Sequence, residues 1–157
     1  MATKKRNSYF GSRHAVASFA YSGTDSAGTA NSAIGSHGLG VYLPTNAVIV
    51  RAFYNVDTTF TSGGGDAATI ALTVESAGDL KAAIAISAAG DVYDAGLHAC
   101  LPGEFALDGN ALTAIASAAA RAASLVKTST KRELTVTVAS QALTAGELTL
   151  VVEYIVL

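Results

Sequence analysis

The residues of this chain that could do chemistry are few, and their spacing decides most of what they could do. Gly35 to Gly38 reads GSHG, which sets Ser36 beside His37. A serine nucleophile needs its base within hydrogen-bond reach, whereas adjacent residues of an extended chain point to opposite faces. His37 is therefore poorly placed to take the Ser36 proton. Gly23 to Gly28, GTDSAG, holds an Asp-Ser pair but neither the Asp-Ser/Thr-Gly order of an aspartic protease nor the Gly-x-Ser-x-Gly of a nucleophile elbow. It reads as a loop.

His98 and Cys100 share a face if Gly96 to Leu101 is a strand, which suits two metal ligands. A zinc site usually shows paired Cys or His motifs, and none is present, so a packed strand edge is the better reading. The run SGGGD, Ser62 to Asp66, lacks the Gly-Lys-Ser/Thr that cradles phosphate and reads as a linker. Asp91 and Asp94 form the tightest carboxylate pair expected on one surface. Glycosidases hold two carboxylates roughly 5 to 9 Å apart across a groove lined with aromatics. With no tryptophan and six scattered tyrosines, two turn residues are the better reading. No catalytic residue, metal or cofactor is expected.

The elements that would position such groups read almost entirely as strands. His14 to Tyr21 suits a strand, and Ser22 to Gly38, rich in Gly, Ser, Thr and Ala, reads as a long loop. A further strand runs from Gly38 to Leu43, ended by Pro44, which has no N–H for a ladder. After a turn at TNA, Val48, Val50, Ala52, Tyr54, Val56 and Phe60 recur at period two as an inward face. Ile49, Arg51, Phe53, Asn55, Asp57 and Thr59 fall on the other face. From Val48 to Phe60 such a strand would span about 43 Å at roughly 3.3 Å per residue, so a bend or bulge is expected within it.

Thr69 to Glu75 repeats the alternation with Ile70, Leu72 and Val74 inward, and short strands are expected near Leu80 to Ser87 and Gly96 to Leu101. Leu112 to Lys127 is alanine-rich and suits a short helix or a strand. Leu134, Val136 and Val138 alternate with Glu133, Thr135 and Thr137. Gly146 can supply the turn that leads to the closing strand, where Leu148, Leu150, Val152, Tyr154 and Val156 face one way and Val151, Glu153, Ile155 and Leu157 the other. The fold class is all-β.

Length and composition agree with one such domain. A chain of 157 residues can bury roughly 70% of its unfolded surface. Charged residues make up 14%, against a usual share of about 25%, so surface polarity rests on Thr, Ser, Asn and Gly. Cys100 is the single cysteine, which excludes an internal disulfide and fits a reducing folding compartment. No signal-peptide pattern follows KKR, and no uncharged run is hydrophobic enough to span a membrane. Four of the ten basic residues, Lys4, Lys5, Arg6 and Arg13, precede the first acid, Asp25. Residues 1–13 thus read as a basic arm that docks on an acidic surface, or as a solvated chain end, ahead of one domain over 14–157. Later basic residues are dispersed among acids, so nucleic acid is not an expected partner.

Two strands carry more apolar surface than one sandwich core absorbs. Ile49 and Phe53 flank Arg51, and Val151 and Ile155 flank Glu153, a pattern that suits an oligomer interface, apolar at its centre with arginine enriched. The alternative is that a loop or the alanine-rich segment covers them within one chain.

These pieces also resemble a family. Leu43-Pro44 followed by Ala47 to Ile49, the Val-x-Thr-x-Phe ending at Val56 to Phe60, the LTAG of Leu143 to Gly146 and the closing Glu153-Tyr154 are similar to small structural proteins of tailed bacteriophages. The resemblance covers about two thirds of the chain; Thr113 to Ala123 and Ser22 to Gly38 have no counterpart in it. It implies a jelly-roll-like antiparallel β-sandwich, made in the bacterial cytoplasm and carried on the virion. The implied role is a capsid decoration or cement protein that binds the major capsid protein as a homotrimer. A tail or baseplate component and a glycan-binding sandwich are the alternatives, because one fold hosts several functions.

Overall fold

The computed structural model describes residues 11–90, 92–100 and 126–157, together with the backbone of 107–108 and 111–112. Its strands are β1 (Arg13–Ala20), β2 (Gly35–Leu43), β3 (Ala47–Ser62), β4 (Thr69–Thr73), β5 (Lys81–Ala85), β6 (Gly96–Ala99), β7 (Leu107–Asp108), β8 (Ala111–Leu112), β9 (Arg132–Ala139) and β10 (Leu143–Val156). A tight turn, α1 (Gly63–Asp66), with Gly64, Gly65 and Asp66 at positive φ, occupies the SGGGD linker. Two four-stranded antiparallel sheets result, ordered β1-β10-β3-β6 and β2-β9-β4-β5, with β7 and β8 as a separate two-residue ladder. This is the expected all-β sandwich. The alanine-rich stretch 112–127 lies mostly outside the described residues.

The inward positions of both sheets meet in one core. Leu134, Val136 and Val138 of β9 are fully buried, as are Leu150 and Val152 of β10 and Ile70 and Leu72 of β4. Each such side chain contributes about 1.5–3 kcal/mol through burial. A row of rings crosses the middle: Phe19 to Phe60 at 6.2 Å, Phe60 to Tyr93 at 5.8 Å edge-on, and Tyr93 to Tyr54 at 5.7 Å. The buried tyrosine hydroxyls are satisfied, Tyr54 donating to the Val92 carbonyl at 2.7 Å and Tyr93 to that of Ile70 at 3.0 Å. The rings thus fill volume without stranding a polar atom.

The long strand is bulged, and the bulge changes which face its first residues use. Glu153 pairs with Arg51, but Tyr154 pairs with Ile49, so Val50 is extra. An inserted residue inverts the alternation. Ile49, expected on the outer face, is buried in the core, while Val50, expected inward, is 44% exposed. Ala52, Tyr54 and Val56 face inward as expected.

Three other expectations change. Gly35 to Gly38 is part of β2 rather than of the preceding loop, because it pairs with Thr135 to Val138 of β9. Arg13, counted with the arm, opens β1 opposite Tyr154. Gly146 is not in the turn before the closing strand but within β10, at φ +131°. There the register against β3 shifts, and a Cβ would land inside the Phe60 ring. Only glycine permits both that conformation and that contact.

Described residues on either side of 101–125 bond to β3. The Cys100 amide donates to the Ala52 carbonyl at 3.1 Å, and the Ile49 amide donates to that of Val126 at 2.9 Å. Thr128, fully buried, secures the return: its hydroxyl donates to the Pro44 carbonyl at 2.6 Å and accepts the Ala47 amide at 2.9 Å.

Candidate interaction surface

The outward side of the sheet β1-β10-β3-β6 collects the residues expected at an interface. Antiparallel pairing sets Val16 beside Val151, Val151 beside Phe53 and Phe53 beside Ala99, an apolar row across all four strands. Directly opposed side chains on one face are close enough to act as a unit. The next row is His14, Glu153 and Arg51. Arg51 Nε lies 3.4 Å from Glu153 Oε2, and its guanidinium carbon sits 5.6 Å from the Phe53 ring centre. Because Arg51 is largely exposed, the ion pair contributes little to stability; it orients the guanidinium beside the ring.

Phe53, Val151 and Ile155 are half-buried, whereas Val16 and Leu97 are 55% and 69% exposed. Beside them an open hollow of about 630 Å³ is lined by Val50 and Phe53 of β3 and by Leu97, His98 and Ala99 of β6. The structure therefore brings Arg51, Phe53, Val151, Glu153 and Ile155 to one face and removes Ile49 from it. Val16, Val50 and Leu97 are members that the alternation of the two long strands alone did not point to. Val16 lies on the outer face of β1, and Val50 needed the bulge. Of the basic arm, Lys4, Lys5 and Arg6 lie outside the described residues; Arg13 is exposed at the end of β1.

The residues with chemical potential are occupied in other ways. Ser36 and His37 do lie on opposite faces: Ser36 is on the outer surface with Thr137, and His37 is buried. His37 Nδ1 is 3.2 Å from Asp25 Oδ2, and Nε2 is 2.8 Å from the Ala33 carbonyl. With the carbonyl on Nε2, the ring has no free nitrogen for a nucleophile. The other Asp25 oxygen accepts the amides of Thr29 at 2.8 Å and Ala27 at 2.9 Å. The Thr29 amide, with further help from His37 and Ala27, holds the Asp25 carboxyl below its usual range against the opposing effect of burial. The pair clamps the 21–34 loop to β2. The partners lie twelve positions apart along the chain, and no short-range pattern links them in the sequence.

His98 stacks on Tyr54 at 5.1 Å, and its Nε2 is 2.8 Å from the Asp94 carbonyl. Cys100 is buried. Among the described residues no three His, Cys, Asp or Glu side chains converge on a point that could hold a metal. Asp91 lies outside the described residues.

Known proteins give a fold-level likeness. No protein-family model matches the chain, and no curated protein sequence does. Among solved structures, a chain of the capsid asymmetric unit of cyanophage Pam1 superposes with a TM-score of 0.59 at 14% identity, over 100% of this chain and 93% of that one. A chain of the Ralstonia phage GP4 capsid gives 0.56 at 18% identity, over 93% and 84%. A chain of the acid-stable capsid of Helicobacter pylori bacteriophage KHP30 gives 0.54 at 12% identity, over 92% and 87%. At these identities the likeness is one of fold.

Proposed function

We propose that this chain is a structural protein of a tailed-bacteriophage virion, a decoration or cement protein that binds the outside of the head and stabilises it. The observation that carries the reading is the apolar row Val16, Val151, Phe53 and Ala99 on the outer face of a sandwich whose fold is shared with chains of three phage capsids. An apolar surface of this extent on a sparsely charged protein suits a contact with another protein. Arg51, Phe53, Val151, Glu153 and Ile155 form the contact between copies, and a homotrimer is the proposed assembly.

Lys4, Lys5 and Arg6 add attachment to an acidic patch of the major capsid protein. Each exposed ion pair contributes only about 0–1 kcal/mol, but three arms on one trimer act together, because later contacts form intramolecularly. Co-sedimentation with undecorated heads across a salt series tests the reading. Binding should fall on deleting residues 1–10, and salt should mimic that deletion in part, since exposed charges are screened beyond about 8–10 Å. The cut is best made before Gly11, because Arg13 belongs to β1. Failure of the whole protein to bind heads, with binding to tails instead, would move it to the tail or baseplate.

A further inference from the structure

Four strands edge the two sheets, and three of them are guarded against further pairing. β6 is four residues long. β5 has five residues and a register shift against β4. β2 is irregular between Gly38 and Tyr42; Gly40 there has φ +70°, and its amide donates to Glu133 Oε1 at 2.7 Å. Short, bulged or side-chain-capped edges are how sheets avoid adding strands.

Among the described residues β1 is guarded only at its end, where the loop after Ala20 caps that residue's carbonyl. Its eight residues pair with β10 without a register shift and include no Pro, Gly or Lys. The Tyr21 amide donates to the Gly146 carbonyl, which continues the same register. In an antiparallel ladder hydrogen-bonding sides alternate, so the odd residues of β1 bond to β10 and the even ones face the open edge. Ala20 confirms the assignment, since its carbonyl accepts the Gly23 amide and the Asn31 side chain. The amides and carbonyls of His14, Val16 and Ser18 have no partner among the described residues, and all three residues are exposed.

We propose that this edge pairs with β1 of a second copy of the chain, antiparallel about a two-fold axis through Val16. That register sets Val16 opposite Val16 and His14 opposite Ser18, and it satisfies all the free groups of both strands at once. No residue with a fixed charge opposes its like, because the facing positions are His, Val and Ser. The two sheets become one, and the apolar rows of both copies join through Val16. The hydrogen bonds lie in the plane of the sheet, so this edge contact is separate from the face contact proposed above and stands without it. It would link one trimer to the next.

Cross-linking tests it on the full chain. Opposed, hydrogen-bonded residues have Cα atoms about 5.5 Å apart, within the roughly 4.4–6.8 Å that a disulfide spans. Val16→Cys should therefore oxidise to a covalent dimer about tenfold faster than Ala77→Cys, an exposed control between β4 and β5 of the other sheet, because paired thiols react at raised effective concentration. Ser18→Pro added to Val16→Cys should abolish the cross-link yet keep the circular dichroism and melting temperature, since the Ser18 amide has no partner among the described residues. Ser18→Lys serves if the proline disturbs folding. A Val16→Cys rate no faster than the Ala77→Cys rate would overturn the proposal. Cross-linking only in a chain that begins at Gly11 would also overturn it, by showing that residues 1–10 hold the edge.

Discussion

The two outward faces of the sandwich are built by the same alternation and present opposite surfaces. On one, Val16, Val151, Phe53 and Ala99 form an apolar row bordered by Arg51 and Glu153. On the other, Ser36, Thr137 and Ala71 form one row, and Gly38, Thr135 and Thr73 the next. The second face is shallow, with a hollow of about 500 Å³ lined by Ser36, Thr73, Thr135, Thr137, Ala82 and Ala83. Its hydroxyls can bond water in any direction, so it is content in solvent. The apolar row has no such recourse. Period two decides which residues point out; their chemistry decides how well the outside is solvated.

The largest expected effect removes the joint on which both faces depend. Gly146→Ala would drive a methyl into the Phe60 ring at a backbone conformation suited only to glycine. Overpacking and backbone strain together should cost about 3 kcal/mol or more, lowering the melting temperature by roughly 10 °C for a chain of this size. A thermal melt checks it, and an unchanged midpoint would show that the Phe60 ring can move aside.

A charge on each face sharpens the contrast itself. Phe53→Asp should weaken self-association by about 2 kcal/mol or more, as loss of a central interface side chain does, while the strand signal persists. Light scattering on a sizing column reads the mass. A wild-type protein that is monomeric at micromolar concentration would remove the distinction between the faces. Thr137→Asp, at the matching place on the other face, should leave the mass unchanged and shift stability by no more than about 0.5 kcal/mol.

A smaller effect concerns the rim beside the threonine face. Arg132 Nε and Nη2 donate to the two Glu75 oxygens at 2.8 and 3.0 Å, and the Ser129 hydroxyl and amide add to them. Arg132 first, then Ser129, lowers the Glu75 carboxyl from its ordinary 4.5 to about 2. Folding thus favours the ionised form. The contribution of the clamp is full above about pH 4.5 and is lost as the pH falls toward 2. Melting temperatures across that window should decline less steeply for Glu75→Gln than for the wild type. Parallel curves would show that the clamp does not couple to folding.

Much of the fold was legible in the sequence, because a strand with one buried face must alternate. The inward sets of β4, β9 and β10 followed directly, as did the end of β2 at Pro44 and the existence of an irregularity in β3. The location of that irregularity was not legible. Val48 to Phe60 offers apolar residues at both parities, so hydrophobicity alone could not say where the alternation inverts. The outer-face residues were half-legible for the same reason: the parity of Phe53, Val151 and Ile155 was right, and that of Ile49 was reversed by the bulge.

What the sequence determined by itself is the class of fold. Alternation fixes which residues a sheet can bury. What only the tertiary structure decided rests on contacts between distant segments. Val50 is extruded because Tyr154 takes Ile49 as its neighbour, Gly146 is required because Phe60 leans across β10, and His37 is held by Asp25 because a loop folds back over β2. Each depends on a partner that local periodicity does not encode, so each becomes visible only when the two sheets close on one another.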